Sequence, residues 1–400
     1  MTESTSTPPA AASAAAPRSL ALPRALIDRI TAGLGSRASV PFEVIFPDAS
    51  RRQFGSGGPR FTVTLKDSDA LRAFASMDEG RIGDAFVDGH FDIDGDMIEP
   101  FRLRHGMADR HLLLTAWRFV EPLLFGQVHT NKRAIASHYD IDSEFFLSFL
   151  DREYPLYTQG MYLSPEETLA VATRRKLDYC FDKLNLRPGD RILEIGPGWG
   201  AWFEYATSRG VRCTGLTISE ESMNFLQRRA AAIGQEWTLI NCDFLGYSTE
   251  EKFDAIVIMG VIEHLPQYGK VLEKFVSLLK PGGRIFLDGS ACTRKYELSS
   301  FMVKHIYGGN HSFLVLHDFL TQMASTPLRV HELHDDRMSY FLTFKQWATN
   351  FDANREAVIR RFGERNYRRF RLYLWGAAYE FLSGSLDCYR MVIEYPTHDR

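Results

Sequence analysis

Leu22, Leu26, Ile30 and Leu34 recur at four-residue spacing with Arg24, Asp28 and Arg29 between them, which predicts an amphipathic helix over residues 21–34. Its apolar stripe either packs on its own domain or rests on a membrane. Residues 1–18 are almost entirely Ala, Ser, Thr and Pro, offer no apolar face and are expected to be disordered. Strand-like residues 42–46, the turn Pro47-Asp48-Ala49-Ser50, strand-like residues 61–65 and a helix through residues 70–76 predict a small α+β domain over 19–110. The acidic, glycine-punctuated stretch from Gly83 to Asp92 closes it. Residues 112–126 are mostly apolar but carry Arg118 and Glu121, too short and too charged to span a bilayer, and predict a linker helix over 111–130.

From residue 131 to 400 the rhythm changes. Short apolar runs at 191–195, 212–217, 237–242, 255–259 and 284–288 alternate with helical stretches, the pattern of a doubly wound α/β domain with a parallel sheet covered on both faces. A last strand at 389–395 is expected at the C-terminal edge. Between about 289 and 375 the alternation breaks, and this stretch reads as a mainly helical insertion covering a substrate pocket.

The chemistry starts where strand 191–195 turns into its helix. Glu194-Ile195-Gly196-Pro197-Gly198-Trp199-Gly200 puts glycines where a backbone must approach a ligand closely, with GxGxG spacing rather than the dinucleotide GxGxxG. Glu194 resembles the acidic residue of methyltransferase motif I. The run from Thr214 to Ser219 resembles the "GLTLS" of the cyclopropane fatty acid and mycolic acid cyclopropane synthase family, and Leu279-Lys280-Pro281-Gly282-Gly283 matches the "LKPGG" turn of class I methyltransferases. Residues 83–92 resemble that family's "GEAYMDGWWD", residues 137–151 its "HYDIGNDFYxLFLD" entrance helix, and Gly260-Val261-Ile262-Glu263-His264 its "GxFEH". The resemblance spans about residues 40–395. It implies a Rossmann-like class I methyltransferase domain behind a lipid-binding-like module, with S-adenosylmethionine (SAM) as cofactor. The implied cofactor-binding residues are Tyr157, Thr158, Glu194, Gly196, Gly198, Gly200, Thr217, Ile218, Ser222, Asp243 and Phe244, with Asp243 and Phe244 beside the adenine.

The resemblance implies an alkene in an unsaturated, phospholipid-bound acyl chain as methyl acceptor, giving a ring, a methyl or a methylene branch. An alkene held against an electrophilic methyl group, with water excluded, becomes a carbocation that aromatic faces and a carboxylate stabilise and a base deprotonates. In the family that base is bicarbonate, held by a glutamate, a tyrosine, a histidine and two backbone groups. The glutamate falls on Glu263 and the tyrosine on Tyr340, in a segment resembling "YDTTLMAW". The family's "YSCAY" becomes Tyr157-Thr158-Gln159-Gly160-Met161, and in its "LLHTIG" the histidine becomes Asp288 and the isoleucine Ser290. An aspartate beside Glu263 would repel bicarbonate and could itself take the proton, so the reading is a bicarbonate-independent enzyme with Asp288 or Glu263 as base. Alternatively Asp288 caps a helix, Tyr340 is a core tyrosine and His264 makes a structural hydrogen bond. Two rivals stand: a small-molecule methyltransferase like the plant benzylisoquinoline N-methyltransferases, for which Gln159 and Asp288 would suit a cationic amine, and a non-catalytic lipid-binding protein.

Composition narrows partners and compartment. With 47 Lys and Arg against 50 Asp and Glu, the net charge of -3 gives no pull toward nucleic acid. The exception is local: Arg355, Arg360, Arg361, Arg365, Arg368, Arg369 and Arg371 alternate with Phe362, Tyr367, Phe370 and Tyr373, a helix that either docks on anionic headgroups or is a solvated face. Five scattered cysteines argue against a disulfide framework and a zinc site, and no secretory signal or spanning run is seen. The expected setting is cytoplasmic, peripheral to the inner face of the membrane, with no metal; a homodimer is compatible with the sequence.

Overall fold

The computed structural model describes residues 24–109, 142–295, 298–307 and 311–397. The predicted disordered segment, the linker helix and the first part of the entrance helix lie outside them.

Helix α1 (Arg24–Gly35) precedes β1 (Phe42–Ile45), β2 (Arg51–Phe54), β3 (Phe61–Leu65), α2 (Ser68–Ser76), α3 (Glu79–Val87) and β4 (Phe91–Gly95), whose strands form a sheet in the order β2-β1-β3-β4. Alternation makes β3 a half-buried strand: Phe61, Val63 and Leu65 point into a core with Ile30, Leu34, Phe42, Leu71 and Phe74. The Asp67 side chain caps α2 and that of Asp78 caps α3. The acidic stretch at 83–92 divides between the end of α3 and the start of β4. Strand β2, with three of its four residues exposed, carries no alternation and is stabilised by its ladder with β1.

The second domain begins with α4 (Ser143–Leu147) and α5 (Leu169–Lys183) and continues through β5 (Arg191–Ile195), α6 (Ala201–Thr207), β6 (Arg212–Thr217), α7 (Glu220–Ala232), β7 (Thr238–Asn241), β8 (Phe253–Met259), α8 (Tyr268–Leu278) and β9 (Leu279–Ala291). Then follow α9 (Leu316–Met323), β10 (Arg329–Asp335), α10 (Arg337–Ala353), α11 (Arg355–Phe362), α12 (Glu364–Ser383) and β11 (Asp387–Glu394). The seven strands run in the order β10-β11-β9-β8-β5-β6-β7, with β7, β6, β5, β8 and β9 parallel. Chain order reverses between β5 and β8, so their C-terminal ends open a crevice at a topological switch point.

Three expectations change. The C-terminal strand is not the edge: β11 lies between β9 and β10, antiparallel to both. Strand β10, mostly exposed and polar, interrupts the stretch read as helical insertion. The "LKPGG" turn is a bulge at the start of β9, where pairing jumps from Phe253 with Leu279 to Ala255 with Arg284.

The arginine-rich helix breaks at Gly363 (φ 85°) into α11 and α12. Arg368 is buried, donating to Asp92 Oδ1 at 2.5 Å and to the Phe91 carbonyl at 3.0 Å, and Arg365 pairs with Asp88. Arg371 binds Asp352 at 2.9 Å and Arg361 binds Asp142 at 2.9 Å. Arg365 and Arg368 thus tie α12 to the first domain, Arg371 and Arg361 pair within the second, and Arg355 and Arg360 stay exposed. Among the described residues, no helix is long and apolar enough to cross a membrane.

Candidate active site

The crevice at the switch point is a cavity lined by the ends of β5, β6, β7 and β8. Ten of the eleven residues singled out in the sequence line it: Tyr157, Thr158, Glu194, Gly196, Gly198, Thr217, Ile218, Ser222, Asp243 and Phe244. Gly196 has φ 71°, and a Cβ there would fall 2.5 Å from Val261 Cγ2. Gly198 has φ 54° with open space where a Cβ would be, and Ser222 Oγ holds its carbonyl at 2.7 Å. The eleventh, Gly200, lines neither cavity; a Cβ there would meet Leu226 Cδ2 at 2.7 Å, so its glycine serves the packing of α6 on α7.

Burial raises the Glu194 carboxyl to about 8, and its Oε2 has no hydrogen-bond partner among the described residues. A buried acceptor left open in a cradle of left-handed glycines fits a ligand that carries ammonium or hydroxyl donors beside a close-packed chain, as SAM does. Gly196→Ala is expected to weaken SAM binding by about tenfold or more, because it combines left-handed strain with the Val261 contact; calorimetry measures this.

A larger cavity of about 790 Å³ adjoins the first and shares Tyr157, Gly260 and His264 with it. Glu263, on a single 3-10 turn just after β8, is 4% exposed and lines this cavity. Its Oε1 accepts from the Ser290 backbone N–H at 2.7 Å; its Oε2 is buried without a partner among the described residues. Burial, reinforced by the charge of Asp288, raises its carboxyl to about 7. Gly289 makes room for it, since a Cβ there would lie 3.3 Å from Glu263 Oε2 and 2.5 Å from Ile262 Cγ2. Burial holds the His264 imidazole neutral by lowering it to about 4. Tyr340 lines the same cavity, its ring stacked on Phe381 at 4.6 Å, and burial followed by the Glu263 charge keeps its phenol protonated.

Gln159 and Asp288 line neither cavity. Asp288 is fully buried inside β9, where Oδ2 lies 2.5 Å from Lys176 Nζ and Oδ1 accepts from the Gly260 N–H at 3.0 Å. It caps no helix. The Thr158 hydroxyl lies 3.0 Å from Asp288 Oδ1 and 2.6 Å from Gln159 Oε1, and Gln159 Nε2 reaches Asp336, the partner of Arg390. These side chains form a polar layer behind the site, with the Asp288 charge compensated by Lys176.

Sequence reasoning missed four residues. Lys176 lies on the buried stripe of α5 with Ala172 and Cys180, four positions to either side, and a lysine on an apolar stripe was the available signal. Tyr307, His311 and Tyr373 also line the larger cavity. The Tyr307 ring stacks on His311 at 4.4 Å, His311 packs against His264 at 4.9 Å, and the Tyr307 and Tyr373 hydroxyls are 3.1 Å apart. No pattern in the sequence marked Tyr307 or His311, and Tyr373 stood out only as an aromatic of the arginine-rich helix.

The parallel-dominated sheet and the glycine-lined crevice at its switch point define a class I SAM-dependent methyltransferase. The model of the family described as mycolic acid cyclopropane synthetase matches residues 127–391, and the chain belongs to that family. It is 25% identical over 329 residues to the sphingolipid C9-methyltransferase of Candida albicans, covering 77% of this chain but 64% of that protein, so it spans just under two thirds of that relative. It is also 25% identical over 363 residues to a probable fatty acid methyltransferase of Pseudomonas putida, covering 87% and 90%. The structure of the mycolic acid cyclopropane synthase CmaA1 complexed with SAH and CTAB superposes with a TM-score of 0.60 at 24% identity, over 66% of this chain and 97% of that one.

Proposed function

We propose that this chain methylates the double bond of an unsaturated, phospholipid-bound fatty acyl chain and that Glu263 removes the proton that completes the reaction. The observation that carries the reading is the large cavity with Glu263 in its wall, adjoining the cofactor cavity and otherwise mostly apolar. Bound SAM supplies an electrophilic methyl group. The Gly196–Gly198 turn and Glu194 would hold its amino acid end, Thr217 and Ile218 its ribose, and Asp243 and Phe244 its adenine, all of them lining one cavity. Tyr157, Gly260 and His264, common to both cavities, mark where the alkene meets the methyl donor. Aromatic walls keep water out, and the faces of Tyr307, Tyr340 and Tyr373 with the nearby carboxylate stabilise the substrate cation. Loss of a proton from the transferred methyl group closes a ring or, after a 1,2-hydride shift, leaves a methylene branch, and loss of one from the chain leaves a methyl-branched alkene, so the C–H that faces Glu263 steers the product.

Two features favour direct deprotonation over bicarbonate. The Ser290 N–H, at a position where the family resemblance puts a bicarbonate ligand, is engaged by Glu263, and Asp288, at another, by Lys176. A carboxyl raised to about 7 is matched to work as a base near neutral pH. The amine-acceptor alternative leaned on Gln159 and Asp288, which line neither cavity. Drawing substrate from a bilayer would use the exposed Arg355 and Arg360 for peripheral contact with anionic headgroups.

The test is mass spectrometry of lipids from cells expressing the chain and fed methionine with a deuterated methyl group. A labelled one-carbon gain on unsaturated acyl chains is expected; three retained deuteriums report a methyl branch and two a ring or a methylene. Unmodified lipids despite SAM binding would return the acceptor to small molecules. With purified protein, activity is expected to rise with pH through about 7 as Glu263 loses its proton, and to be unchanged by bicarbonate in carbonate-free buffer. A slow rate rescued by bicarbonate would assign the base to the anion instead.

A further inference from the structure

The cavity that holds Glu263 and Tyr340 does not end in the catalytic domain. It is also lined by Leu34, Val63, Phe74, Phe91 and Ile93, all of them core residues of the N-terminal domain. It crosses the seam between the domains, where α3 and α12 meet. There a Cβ at Gly83 would lie 2.9 Å from Phe301 Cδ2, and one at Gly376 3.0 Å from Phe101 Cε1. From this continuity we infer that the N-terminal domain takes the methyl-terminal end of the acyl chain into its own core and so selects for chain length beyond the double bond. The inference rests on the lipid reading above.

Folded cores are packed to near-crystalline density, and an apolar volume left open among Leu, Val, Ile and Phe weakens a domain unless an apolar ligand fills it. A small domain that contributes no catalytic group yet keeps such a volume open toward the reacting end has a reason to do so if a hydrocarbon enters. Polarity sorts the ends of the cavity. Apart from Glu263 at the reacting end, the charged residues that touch the cavity are Glu79, Arg104, Asp109 and Glu380, and Arg104 bridges Glu79 of α3 at 2.7 Å and Glu380 of α12 across the seam. The end walled by Val63, Ile93 and the edge-to-face pair Phe74 and Phe91, 4.9 Å between centroids, is apolar. An ester or headgroup buried there would lose its hydrogen bonds, whereas a methyl terminus has none to lose.

The test uses phospholipids with myristoleoyl, palmitoleoyl and oleoyl chains, which share the spacing from carboxyl to alkene and differ by pairs of methylenes on the methyl side. Val63→Phe, which fills the apolar end, is expected to cut turnover of the oleoyl substrate by about tenfold or more while leaving the myristoleoyl substrate within about twofold, as exclusion of methylenes from a fitted pocket predicts. SAM affinity serves as the folding control. A parallel loss on all three chains, or no change on any, overturns the inference. Should the variant fail to fold, the wild-type protein carries the test with an oleoyl lipid bearing a photoreactive diazirine at its methyl end. Crosslinks to peptides containing residues 61–65 or 91–95 are expected; crosslinks confined to residues beyond 142 overturn the inference. Wild-type turnover of these lipids with crosslinks only in the catalytic domain would leave the lipid reading standing and remove this one. No methyl transfer to any of the three would remove both.

Discussion

Glu263→Gln is expected to lower methyl transfer by roughly 10²- to 10⁴-fold, the usual contribution of a positioned base, while SAM affinity stays near the wild-type value. The same substitution is expected to stabilise the fold at pH 8. In the native state burial raises this carboxyl to about 7 from an ordinary 4.5, so the folded protein favours its protonated form. The stability associated with that form is fully present below pH 4.5, is lost as pH rises toward 7 and is gone above it; a shift of that size corresponds to about 3 kcal/mol at most. Glutamine stays neutral at every pH, and its carbonyl can still accept from the Ser290 N–H. Thermal unfolding of both proteins at pH 8 and pH 4 measures the effect, with the variant ahead at pH 8 and the two converging in acid. An inactive variant that is also less stable at pH 8 would mean that Glu263 is structural.

Lys176→Met should be the most damaging single change behind the site. Lys176 and Asp288 are both fully buried and 2.5 Å apart, and removing one partner leaves an uncompensated charge, a loss of about 3–5 kcal/mol in comparable buried pairs. Urea unfolding gives the number. The double variant Lys176→Met with Asp288→Asn should recover much of it, because the cost lies in the stranded carboxylate and not in the missing amine. Thr158 and the Gly260 N–H both touch Asp288 and both line the cofactor cavity, so the single variant should also bind SAM more weakly. A penalty under about 1 kcal/mol would show that the pair is not the unit that holds this wall.

What the chain alone determined is mostly what depends on local pattern. Strands β3, β5 and β6 fall on the residues expected, because buried strands read as alternating or continuous apolar runs with turn residues at their ends. The glycines after β5 and Glu263 after β8 were equally legible, since each is tied to the end of a strand that the pattern locates. Strands β2 and β10 were not, because edge strands held by their ladders need no apolar face.

The working wall of the site was decided only in three dimensions. Asp288 and Ser290 lie two residues apart on β9, where side chains share a face, yet Ser290 borders the large cavity and Asp288 does not. The difference comes from Lys176 on α5 and from Thr158, which meet Asp288 from far along the chain and bind it into the interior. Nor could the sequence reveal that one cavity runs from Glu263 into the N-terminal domain: each domain's apolar residues look like an ordinary core when read alone, and a void between them is a property of how the two are packed.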